Sequence, residues 1–131
     1  MSWKRRIYIS IVTVVAMLLG VACARGDKGF QTISSVQARQ KMEALHSFQL
    51  LDVRTQGEFD EGHIGGAMLL PHDEIEIGVW DMLPDQNETI FIYCHSGRRS
   101  AIAAEALVKM GYTSVYDMGG IVDWDGEIVV E

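Results

Sequence analysis

Apolar positions along the chain fall into two regimes. Residues 7–22 form an almost unbroken apolar run, whereas from residue 30 onward short apolar runs alternate with segments of helical spacing. Ser34 with Gln37 makes a capping box, and Ala38, Met42 and Leu45 follow on one helical face. Residues 48–53 read as a short buried strand. Thr55 with Glu58 opens a second, short helix that Gly62 stops. Residues 67–70 read as a strand closed by Pro71, and residues 73–82 as a helix, after which Pro84 and Asp85 turn the chain. Thr89-Ile-Phe-Ile-Tyr93 is the central strand. The helix predicted at 101–110 turns Ala103, Ala106, Leu107 and Met110 inward and pairs Glu105 with Lys109 outside. Gly111 caps it, and residues 114–118 form the last strand. Strands alternating with helices predict one α/β domain with a mainly parallel sheet and helices on both faces.

The N-terminal run is set apart by its flank. Lys4, Arg5 and Arg6 precede sixteen apolar residues, fewer than the roughly 20 that span a bilayer comfortably. This reads as a secretory signal peptide over residues 1–24 rather than an uncleaved anchor. Two processing readings stand. Leu19-Gly-Val-Ala-Cys23 is similar to a bacterial lipobox, with residues 1–22 as leader and Cys23 lipidated, and this is the preferred reading. Alternatively Ala22-Cys-Ala24 meets the small-x-small rule for cleavage after Ala24. Residues 25–29 form a polar tether, and 30–131 the domain. Either reading puts the domain outside the cytoplasm, in the periplasm or held at a membrane through Cys23.

Composition narrows the partners. The chain has 131 residues and net charge −7; without Lys4, Arg5 and Arg6 the rest stands at −10. So acidic a domain is a poor binder of nucleic acid. Against that background Arg98 and Arg99 form a local positive spot that focuses a small anion. The acidic stretch 73–88 reads as a solvated face. With Cys23 in the leader, Cys94 is the single thiol of the domain, and an unpaired cysteine in an oxidising compartment normally has a use.

Cys94 ends the central strand and is followed by His95, Ser96, Gly97, Arg98, Arg99 and Ser100. A thiol between a buried strand and a helix N-terminus meets backbone amides and the positive end of the helix dipole, which favour the thiolate. Gly97 lets the loop turn its amides toward one centre. A plain core cysteine would need neither the glycine nor the arginines, so the stretch reads as a nucleophile in an anion cradle. In parallel sheets ligands bind beyond the carboxyl ends of the strands. Asp52, Arg54 and Gly119-Gly120 lie at such ends too.

These residues carry a resemblance. Leu51-Asp52-Val53-Arg54, with Glu58 and Gly62-His63-Ile64-Gly65-Gly66-Ala67, resembles the first signature of the rhodanese family of sulfurtransferases. Cys94 to Ser100 resembles that family's active-site loop, and Gly119-Gly120-Ile121-Val122-Asp123-Trp124 its closing motif. The likeness covers residues 30–126 and implies a single-domain rhodanese fold with a five-stranded parallel sheet. It implies an enzyme without cofactor or metal in which the Cys94 thiolate takes a sulfur atom from a small anionic donor such as thiosulfate and passes it to a thiol or cyanide. The amides of 95–99 would hold the persulfide, and Arg98 and Arg99 would attract the donor, Arg99 being favoured as the inward one. Asp52, Arg54 and His63 are implied as supports: Asp52 orienting loops, Arg54 pairing with a carboxylate, His63 hydrogen-bonding within the fold. His95 and Gly65 depart from the pattern, where many members carry arginine and proline. His46 and His72 show no ligand spacing, Trp80 and Trp124 read as packing, and a monomer is expected. Two other classes stay open. One is a phosphatase or arsenate reductase, whose cysteine loop has five residues before its arginine, against four between Cys94 and Arg99. The other is a non-enzymatic persulfide carrier serving a partner protein.

Overall fold

The computed structural model describes residues 28–131. The signal peptide, the lipidation candidate Cys23 and most of the 25–29 tether lie outside the described residues. Seven strands and four helices follow in order: β1 (Gln31–Thr32), α1 (Ser35–Ala44), β2 (Gln49–Asp52), α2 (Gln56–Glu61), β3 (His63–Ile64), β4 (Met68–Leu69), α3 (Ile75–Met82), β5 (Ile90–Cys94), α4 (Arg98–Lys109), β6 (Val115–Gly120) and β7 (Ile128–Val129), with a 3-10 turn at Ile121–Asp123 before β7. Five strands make one sheet in the order β1-β6-β5-β2-β4, every pairing parallel. β3 and β7 form a separate antiparallel pair.

The central strand explains the layering. All five residues of β5 are buried, as befits a strand covered on both faces. Its side chains alternate between two cores. Ile90, Ile92 and Cys94 join Leu51, Val53 and the inner faces of α3 and α4, while Phe91 and Tyr93 join Leu50 and Ala38 under α1. Cys94 therefore stands on the α4 side, beneath the helix that begins just after it.

Both capping boxes form as read, at Ser34–Gln37 and Thr55–Glu58, and Gly62 ends α2. Four expectations need correction. α4 starts at Arg98 rather than at residue 101, so both arginines belong to its first turn. Its buried face uses Ala104, with Ala103 and Leu107, where Ala106 was expected. β6 runs on through Gly119 and Gly120. The pairs β1, β3 and β7 escape the pattern because two residues carry no period. Between β5 and β6 the register slips: Ile92 faces Asp117, but Cys94 faces Gly120. β6 thus spends one extra residue there, a bulge made where Gly119 has φ +79°.

Candidate active site

The Cys94 loop is shaped from both sides. Gly97 is the N-cap of α4 in left-handed backbone, φ +107°, and supplies no capping side chain. The sulfur takes that place: the Gly97 amide donates to Cys94 Sγ at 3.0 Å. The Ser100 hydroxyl lies 3.6 Å from Sγ and reaches the carbonyl oxygens of Gly97 at 3.0 Å and Gly119 at 3.4 Å. Burial alone would push the thiol up. The amides of Ser100, Gly97 and Ser96 and the Ser100 hydroxyl outweigh it, so the thiol sits below its ordinary value. These bonds favour the thiolate because they are made to the charged form.

The bulge supports the loop from beneath. A Cβ on Gly120 would fall against the His95 carbonyl oxygen and 2.6 Å from the Ser96 Cα, and one on Gly97 would touch the Gly119 Cα at 3.6 Å. The Val122 amide donates to the His95 carbonyl at 3.3 Å. Gly119 and Gly120 therefore turn the chain and let the loop approach. Their spacing hinted at the first role only; the second needs the register slip.

Asp52 and Arg54 come together as a closed pair. Arg54 Nη2 donates to Asp52 Oδ2 at 2.6 Å and to the Gly62 carbonyl at 2.7 Å, and the Arg54 amide donates to Asp52 Oδ1 at 2.9 Å. Both side chains are buried, and Tyr93 lies under the guanidinium, its ring centre 5.6 Å away. Burial would weaken the protonated guanidinium, but Asp52 more than compensates and Arg54 is held above its ordinary value. The Tyr93 hydroxyl accepts from the Ile64 amide at 3.1 Å, and burial pushes its pKa up. His63 Nδ1 lies 3.0 Å from the Phe59 carbonyl, and its ring stacks on Phe59 at 3.7 Å. All three supports point into the fold and none into the loop.

The two arginines part company. Arg98 is exposed and has no carboxylate partner among the described residues. Arg99 reaches across to α2, where Nη1 donates to Glu58 Oε2 at 2.7 Å and Nη2 to Oε1 at 2.8 Å. Its bond to Glu58, helped by the negative Cys94 and Asp52 nearby, holds its proton more firmly than usual. The bond from Arg99 leads the causes that draw the Glu58 carboxyl well below the carboxylate range. Glu58 was legible as a cap, but its partner is 41 residues away and no local signal names it. His95 and Ser96 are exposed at the mouth, and Trp80 and Trp124 serve as packing, Trp80 against Tyr112 and Trp124 under the α1 side. Among the described residues no group of three His, Cys, Asp or Glu side chains is placed to hold a metal ion.

A buried strand ending in a thiolate, with amides from a helix N-terminus on its sulfur, defines an α/β protein with an anion-stabilised cysteine nucleophile. A model of the rhodanese-like domain matches residues 33–127, and the chain belongs to the rhodanese family. It is similar to the thiosulfate sulfurtransferase PspE of Escherichia coli, 38% identical over 73 residues, 56% of this chain and 70% of that protein. YrkF of Bacillus subtilis, named as a candidate sulfur carrier protein, is 36% identical over 96 residues, 72% of this chain. The match spans about half, 51%, of YrkF's length. Among solved structures, a rhodanese with anions from E. coli superposes with a TM-score of 0.62 at 34% identity, over 65% of this chain and all of that one.

Proposed function

We propose that the protein is a sulfurtransferase that carries sulfane sulfur on Cys94. The observation that carries this reading is the capped sulfur, a buried thiolate receiving the Gly97 amide at 3.0 Å at the start of α4. The thiolate attacks the outer sulfur of a donor such as thiosulfate. A bond forms between the two sulfurs, the bond to the sulfonate breaks, and its electron pair leaves with sulfite. Cyanide or an acceptor thiolate then attacks the outer sulfur of the persulfide, and the pair of the breaking bond returns to Cys94. The amides that hold the thiolate hold the persulfide charge as well. The ring of backbone around Cys94 is small, and it suits one sulfur atom better than a tetrahedral phosphate.

Thiocyanate formation from thiosulfate and cyanide is the test, with Cys94→Ser alongside and mass spectrometry for one added sulfur. Absence of both thiocyanate and the added sulfur overturns the reading. Aryl phosphate hydrolysis lost in Cys94→Ser would replace it with a phosphatase. The similarity to a named sulfur carrier supports a second reading: a persulfide that forms on Cys94 but passes only to a partner protein. Added sulfur without thiocyanate is its signature. Export and lipidation at Cys23 belong to the same proposal, and palmitate labelling that survives Cys23→Ala would remove the lipid.

A further inference from the structure

We propose that Glu58 is a positioning residue that sets the charge of the cysteine cleft: by pairing with Arg99 it leaves Arg98 as the uncompensated cation that meets an anionic donor. The inference rests on the sulfur-transfer reading of the site and adds to it a residue that limits how tightly anions are held.

The geometry makes the pair a fixed device rather than a casual surface contact. Glu58 is anchored before it meets the arginine, because its Oε2 accepts from the Thr55 amide and hydroxyl, both at 3.0 Å. Arg99 then closes a bidentate fork on both oxygens. Glu58 has no further role to play: its oxygens are occupied, and its side chain is held between α2 and α4. Arg99 is 17% exposed, so its charge is only partly screened by water.

The other charges around the thiol are settled separately. On β2, Asp52 and Arg54 neutralise each other. On β6, Asp117 accepts from the Gly119 amide at 3.0 Å. Beyond β4, His72 donates its amide to the Val53 carbonyl and lies 4.0 Å from Asp73. His95 and Arg98 remain, both exposed on the loop. Arg99 is thus the cation near Cys94 whose effect hangs on one removable counter-charge. The need for that counter-charge follows from the reaction. One cleft must draw in a dianion, release a second dianion, sulfite, and then admit a thiol. Two free guanidinium groups would strengthen the first step and retard the second.

The test is a double-substitution cycle in the intact protein, read by the pH midpoint of Cys94 alkylation and by steady-state kinetics with thiosulfate. Glu58→Gln uncovers Arg99. The midpoint should fall by about half a pH unit, KM for thiosulfate should fall about threefold, and sulfite should inhibit at lower concentration. Arg99→Gln uncovers Glu58, and all three should move the other way. Glu58→Gln with Arg99→Gln should return near the parent. A merely structural brace would cost stability in both single variants and leave the midpoint where it was. That result overturns the proposal, as do single variants that shift the midpoint in the same direction. Should Glu58→Gln fail to fold, Arg99→Gln decides by itself, since its midpoint must rise. The alkylation readout needs no sulfur transfer, so failure of the enzymatic reading shows separately as absent thiocyanate.

Discussion

Two arginine–carboxylate pairs flank the same strand ends and behave oppositely. Asp52–Arg54 is sealed: the carboxylate is 0% and the guanidinium 5% exposed, with the remaining donor satisfied by the Gly62 carbonyl. Glu58–Arg99 has the same fork geometry but stands at the mouth, with 31% and 17% of the side chains exposed. Location decides what each can do. A sealed pair holds the first signature against Tyr93 and β3, and breaking it strands a charge in the core. A pair at the mouth contributes little to folding, because water competes for both partners. It retains influence over the charge that an incoming anion meets.

The largest effect on activity belongs to the centre between the pairs. Cys94→Ser should reduce thiocyanate formation to background, with a urea midpoint close to the parent's. For stability the largest effect should fall on the sealed pair. Asp52→Asn leaves Arg54 buried and unmatched, and should cost about 3–5 kcal/mol by urea titration, much of a small domain's stability. Gly120→Ala comes next. Its methyl would displace the His95–Ser96 backbone, costing about 1–3 kcal/mol and most of the activity. Ser100→Ala should raise the alkylation midpoint of Cys94, because it removes a hydrogen bond to the thiolate. A midpoint unchanged from the parent would remove Ser100 from the cradle.

The mouth pair should rank below these for stability. Glu58→Gln is expected to cost about 1 kcal/mol or less. The sign of its pH dependence is fixed by the depressed carboxyl. The folded state binds the Glu58 proton less readily than the unfolded chain does. Its contribution is therefore complete above the ordinary carboxylate range and drains away as pH falls through and below that range. Parent and Glu58→Gln should converge in acid; a gap that widens there would reverse the assignment. Glu105→Gln, which breaks the exposed Glu105–Lys109 pair, should leave both activity and the urea midpoint unchanged.

What could be read in advance was local. Ser34–Gln37 and Thr55–Glu58 are bonds between residues three apart, and β5 is a run of buried apolar residues, so both register in a short window. The start of α4 did not, since Gly97 offers no capping side chain and the sulfur of residue 94 takes that role through the loop. Cys94, the arginines and the first signature were visible as residues. The division of labour between Arg98 and Arg99 was not, because it depends on Glu58 from another helix. The favour given to Arg99 as the donor's partner rested on its place in the loop, and position along a chain says nothing of what a carboxylate elsewhere has claimed.

The bulge at Gly119 has a consequence for synthesis. A chain made from its N-terminus exposes Cys94 before Gly120 and Val122 exist to support the His95 carbonyl. Until those residues follow, the loop lacks its underside and the sulfur lacks its full ring of amides. The nascent thiol is an ordinary one, little ionised at neutral pH. Reactivity arrives late, with nearly the whole sheet already paired, so the chain completes its frame before it arms its nucleophile.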